Sequence, residues 1–135
     1  MDAKEFLRLI DSDAIAHAIQ QAEQNTTGRI HVFVSRKKPK DAVRTAQRRF
    51  MRMRMDDSGA RNAVLIYIAP RCQKFACIGD RAFNERSGEI FWRELVREMS
   101  TFFRKANYTE GLLLAIRRTG AIYAEHFSAS AGKTS

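Results

Sequence analysis

Residues 62–69 read Asn-Ala-Val-Leu-Ile-Tyr-Ile-Ala, a nearly continuous apolar run bounded by Asn62 and followed by Pro70. So short a run, rich in β-branched and aromatic side chains, reads as a strand. Apolar residues on both faces imply burial on both, as in a sheet covered by helices. Downstream, Pro70-Arg71-Cys72-Gln73 is a turn leading to residues 74–78, Lys-Phe-Ala-Cys-Ile, a further strand. A connection this short makes the two an antiparallel hairpin. Upstream, residues 29–35 (RIHVFVS) form another strand, apolar on both faces and expected as an inner strand with helices on each side. Between it and residues 62–69, Asp41 caps a helix running to about Met55, with Val43, Ala46, Phe50 and Met53 inward. An intervening helix makes the first two strands parallel, with a right-handed crossover.

The flanks are helical. Asp11-Ser12-Asp13 interrupts a short apolar segment at residues 6–10 and supplies N-cap types. Ile15, Ala18, Ile19 and Ala22 then recur at helical spacing, so a helix is expected over residues 13–24. Asn25-Thr26-Thr27-Gly28 ends it, with Gly28 supplying the freedom of a turn. After Gly79-Asp80, Ser87 is the expected cap of a helix over residues 88–104, with Phe91, Leu95, Met99 and Phe102 along one face. A last helix covers residues 109–127, with Leu113, Ile116, Gly120, Tyr123 and Phe127 at helical spacing. A glycine in mid-helix costs roughly 1 kcal/mol against alanine, so Gly120 implies close approach to a neighbouring element. The order is α-β-α-β-β-α-α, a small mixed sheet with one parallel pair and one antiparallel hairpin, sandwiched between helices. Residues 1–127 are expected to form one α/β domain, and 128–135 a flexible polar tail.

A chain of 135 residues with 44% hydrophobic content can bury one continuous core and is not disordered in composition. No apolar stretch approaches the roughly 20 residues needed to cross a bilayer. The start, Met1-Asp2-Ala3-Lys4-Glu5, carries acids where a signal peptide would be basic. A cytoplasmic location is therefore expected. Cys72 and Cys77 lack the second pair that a zinc site needs. In that compartment they are expected to stay reduced, one of them buried. His17, His31 and His126 share no metal spacing. There is no Gly-x-Ser-x-Gly elbow, Cys-based phosphatase loop or phosphate-cradling glycine loop.

Lys and Arg number 24 against 15 acids, for a formal charge of +9. Such a field draws anions of every kind. Arg36, Lys37, Lys38 and Lys40 precede the crossover helix, and Arg44, Arg48 and Arg52 repeat along it every four residues, with Arg49 alongside. Between Arg36 and Arg54 the only acid is Asp41. Like charges at this spacing repel, so the strip is expected to serve an anion or acidic partner rather than solvent alone. No exposed aromatic series accompanies it for base stacking.

Several stretches, in order and in register, resemble the TPM domain. They are IAHAIQQAE at 15–23 with TGRIHV at 27–32, RNAVLIYIA at 61–69, and IGD at 78–80. Phe91-Trp92, Met99, Phe103 and YTEGL at 108–112 complete the match. This module is shared by thylakoid-lumen phosphatase-like proteins, photosystem II repair factors and many bacterial proteins of unknown role. The resemblance implies a Rossmann-like three-layer α/β/α sandwich. For some members it also implies acid phosphatase activity or calcium binding.

Strand direction gathers Arg29, Asp56, Asp57, Asn62 and Asp80 on one rim of the sheet, with Glu85 or Glu89 in reach. Carboxylates and an amide oxygen are hard ligands suited to Ca²⁺ or Mg²⁺, and such an ion could polarise a phosphate ester. The family pattern, however, has an acid where this chain has Arg29. A guanidinium beside the aspartates would replace the metal's charge, so a structural role for Asp56, Asp57, Asn62 and Asp80 goes ahead of metal binding. No catalytic residue is assigned. Three functions remain. The favoured one is a non-enzymatic binding or scaffold module with a basic helix for an acidic protein or anionic surface. The others are a weak metal-assisted phosphatase or calcium-binding domain at the rim, and a non-specific nucleic-acid-associated protein.

Overall fold

The computed structural model describes residues 1–56 and 62–129. Two helices come first, α1 (Ala3–Leu9) and α2 (Ser12–Glu23), each started by an aspartate whose side chain accepts a backbone N–H. Asp2 takes the N–H of Glu5 at 2.8 Å and Asp11 that of Ala14 at 3.0 Å. Strand β1 (Arg29–Val34) leads to α3 (Ala42–Asp56), then β2 (Ala63–Ala69), a single 3-10 turn (Pro70–Cys72) and β3 (Lys74–Gly79). Three helices close the chain: α4 (Arg81–Ser87), α5 (Glu89–Arg104) and α6 (Tyr108–His126).

The sheet order is β1-β2-β3, with β1 parallel to β2 and β2 antiparallel to β3. This is the mixed three-stranded sheet the sequence implies, and every residue of β2 is buried. Alternation along the strands splits the core in two. Ile30, Val64, Ile66 and Ile68 point to one side, against α2, α5 and α6 through Ile15, Leu95, Met99 and Ile116. Leu65, Tyr67 and Ala76 point to the other, against Ala46 and Phe50 of α3. One layer therefore holds several helices and the other chiefly α3.

Four expectations are corrected. Strand β1 is an edge strand, not an inner one, and α3 covers it only in part: Arg29 and His31 are exposed on the α3 side, while Arg49 lies over Phe33. Val43 is about half exposed at 51%, and the buried position in the first turn of α3 is Ala42. Helices α1 and α4 have no counterpart in the expected order: residues 6–10 read only as a short apolar segment, and the seven residues of α4 carry only Phe83 as a buried anchor. Helix α5 is capped by Gly88 at φ 82°, not by Ser87, which ends α4. Gly120 behaves as expected: a Cβ there would stand 2.8 Å from that of Ala22, so α2 and α6 meet at a glycine.

Candidate functional site

Two ends of the sheet carry polar groups. At the end where the parallel strands begin, Asn62 and Asp80 come together as strand direction requires. The N–H of Asp80 bonds the carbonyl of Ala63 at 2.8 Å, and both Asn62 and Asp80 are buried. Their polar atoms hold chain segments together. Asn62 donates its amide to Thr27 Oγ1 at 2.6 Å. Asp80 caps α4, accepting the N–H of Arg81 at 2.8 Å. The Tyr123 hydroxyl lies 2.7 Å from the carbonyl oxygen of Asn62 and 2.9 Å from that of Arg29, its one proton shared between two strand starts. Burial pushes the Tyr123 phenol well above its usual range, so it stays protonated and a donor.

Arg29 turns its exposed guanidinium back onto the carbonyl of Gly28 at 3.2 Å. Glu85 pairs with Arg81 at 3.2 Å on the surface, and Glu89 starts α5. Asp57 lies outside the described residues, and so does the side chain of Asp56, the last residue of α3. Among the described residues no three His, Cys, Asp or Glu side chains are placed to hold a metal ion.

At the opposite end, where β1 and β2 finish, an open groove of about 1540 Å³ runs between α1 and α3. Arg36, Lys37 and Lys38 leave β1 into it, and Arg48, Arg49 and Arg52 reach it from α3. Arg71, just after β2, and Lys4 of α1 complete the cationic lining. Among the described residues, eight cationic side chains thus face one carboxylate, that of Asp2, which already caps α1. Among the described residues no carboxylate lies within ion-pairing distance of the groove's arginines. Among the described residues, that charge is left largely without a compensating carboxylate.

The floor is aromatic. Phe33 and Tyr67 stack with centroids 5.8 Å apart, and the guanidinium carbon of Arg49 sits 4.0 Å above the Phe33 ring. That contact fixes an otherwise long, mobile side chain, and its Nε is buried without a hydrogen-bond partner. Ser35, buried at the strand end, accepts the N–H of Lys37 at 3.0 Å and starts the basic loop in a defined direction. Of the strip expected from sequence, Lys40 and Arg44 stay outside the groove. Lys40 instead offers its carbonyl to Lys74 Nζ at 3.1 Å. Lys4, Arg71 and the aromatic floor are additions that the linear strip does not suggest. The parallel pairing does suggest Arg71, since whatever follows β1 and β2 must emerge at one end.

The cysteines form no disulfide and lie on opposite faces of the sheet, Cys72 beside the α3 core and Cys77 beside Met99 of α5 at 3.7 Å. They cannot meet. Burial pushes the Cys77 thiol up to about 12, so it is a packing group rather than a nucleophile. His17 is exposed on α2, and His126 lies 3.7 Å from Glu125. No helix among the described residues is long and apolar enough to cross a membrane.

A family model described as "TPM domain" matches residues 1–122. Among solved structures, the chain is similar to the NMR structure of the BA42 protein from the psychrophilic bacterium Bizionia argentinensis. The TM-score is 0.76 at 30% identity, over 88% of this chain and 84% of that one. No curated protein matches.

Proposed function

The chain belongs to the TPM domain family, and we propose that it acts as a non-enzymatic binding module that takes an acidic protein partner in the groove between α1 and α3. The observation that carries this reading is the set of cations from four separate segments, residues 4, 36–38, 48–52 and 71, that line one concave surface, against a single carboxylate among the described residues. A random excess of positive charge would be spread over the molecule. Instead, it is concentrated outside the carboxyl ends of two parallel strands, where open α/β sheets commonly bind their ligands.

Mutual repulsion of these side chains opposes folding and is relieved when an anion enters. At the other end of the sheet, the described amide and carboxylate, those of Asn62 and Asp80, already join strand starts and cap α4.

The test compares two charge-matched triple variants on a heparin column and against an acidic peptide. One carries Arg48→Gln, Arg52→Gln and Arg71→Gln. The other carries Arg93→Gln, Arg97→Gln and Arg117→Gln, exposed arginines of α5 and α6 outside the groove. The groove variant is expected to elute at markedly lower salt and to lose peptide binding, while the control stays close to the wild type. Equal loss in both would mean that net charge, and not the groove, holds the anion.

A further inference from the structure

The open edge of β1 runs into this same groove. Ser35 donates its N–H to the carbonyl of Ile68 across the β1–β2 ladder at 2.7 Å. Ile30 sends its N–H the other way, to the Glu23 carboxylate at 2.7 Å. Alternate residues of a parallel strand turn their backbone groups to opposite sides. Val32 and Val34 therefore present N–H and C=O to the side away from β2, where the described sheet has no further strand. Phe33 and Val34 both line the groove, so the second half of this edge opens directly into it.

Unpaired edges are usually blunted by charge, proline or cover. Here Glu23 caps only the first outward amide. The face of β1 towards α3 is left partly open, with His31 exposed and Phe33 half covered by Arg49. From the geometry and the charge we infer that an extended acidic segment of a partner protein adds to β1 as a fourth strand. Its backbone pairs with Val32 and Val34, and its carboxylates meet Arg49, Arg52, Lys37 and Lys38. This rests on the reading of the groove as an anion site and gives the partner's conformation.

Strand addition takes affinity from main-chain hydrogen bonds and specificity from alternate side chains. An extended chain at this edge puts every second side chain on the face that Arg49 borders. A nucleic acid has no peptide backbone to pair with the edge. A second copy of this chain would bring a like charge of +9 and the same Arg36-Lys37-Lys38 loop to the contact. An acidic peptide satisfies both the ladder and the field.

The experiment uses the whole chain and a capped peptide of alternating glutamate and valine, of ordinary strand length. A second peptide has the same side chains but methylated backbone nitrogens, and a third probe is single-stranded oligothymidylate. The first peptide is expected to bind in a salt-sensitive way and to slow amide exchange at Val32 and Val34. Backbone methylation should weaken it roughly tenfold, the effect of about two net hydrogen bonds.

Equal binding of the methylated peptide, or unchanged exchange at both valines, overturns strand addition and leaves an anion site working by charge alone. Binding of oligothymidylate without the peptide also overturns it and assigns the groove to nucleic acid. Failure of all three probes overturns the anion site as well.

Discussion

Gly28 lies against the ring of Tyr123 so closely that a Cβ at residue 28 would fall within the ring's van der Waals surface. The residue is glycine for that contact and not for a left-handed turn, which Asn25 takes instead at φ 60°. Gly28→Ala must push Tyr123 off the two strand starts it bridges. Overpacking of this kind typically costs about 1–3 kcal/mol. Urea unfolding should show a lower midpoint with an unchanged slope, and a midpoint equal to wild type would disprove the contact.

Tyr123→Phe isolates the polar half of the same arrangement. It keeps the ring against Gly28 and Phe83 but removes the hydroxyl shared by the carbonyls of Arg29 and Asn62. A buried acceptor left without its donor costs about 1–3 kcal/mol. Denaturant titration should show that loss, and amide exchange near residues 28–30 and 62–64 should rise with it.

Gly120→Ala sets two effects against each other. Alanine gains roughly 1 kcal/mol of helix propensity over glycine. The added methyl, however, would meet Ala22 at 2.8 Å from its Cβ and 3.1 Å from its Cα, a backbone atom that cannot swing aside. Parting α2 and α6 opens the main core, so the net effect is destabilising. A variant more stable than wild type would show that the two helices can part freely.

Alkaline pH should unfold the protein through two protonated groups. The Cys77 thiol moves from 9.0 to about 12, and the Tyr123 phenol rises from 10.0, both chiefly through burial. In each case the unfolded chain releases its proton first. The stability these groups contribute is complete below pH 9, and is lost from there upward as the unfolded state ionises. Cys77→Ala adds a cavity cost at every pH but should flatten the stability curve between pH 9 and 12. An equally steep curve in the variant would show that Cys77 does not couple to unfolding.

The sheet is legible from sequence because its signals are local. A run apolar at every position can only be a central strand such as β2, and connection length sets whether each neighbour is parallel or antiparallel. Gly120 is legible because a helix-interior glycine needs a reason. What escapes depends on position in the sheet or on distant chain. Residues 29–35 look like an inner strand because the hydrophobic pattern counts faces, not neighbours, and only strand order reveals an edge. Residues 81–87 offer one apolar anchor, Phe83, too few to show a helical period. At the site, the strip on α3 is visible as a repeat of four. Lys4 and Arg71 join it from distant segments, and the aromatic floor depends on Phe33 and Tyr67 standing side by side.

The crowding of cations along α3 makes a last prediction with opposite signs for stability and binding. Arg44, Arg48 and Arg52 stand four residues apart, all exposed, and among the described residues none is ion-paired. Each like-charge pair at this spacing costs about 0.2–0.5 kcal/mol. Arg48→Gln removes two such pairs and keeps a good helix former. The variant should therefore be more stable than wild type in low salt, by about 0.5 kcal/mol. The advantage should fade at high salt, where ions screen the repulsion. An added polyanion should reverse the order, because a ligand that binds only the folded state stabilises the protein it binds more tightly. Melting curves in low salt, in high salt and with polyglutamate decide the matter. If Arg48→Gln lowers stability in all three, the arginine contributes packing, and the groove's charge is not held at the expense of the fold.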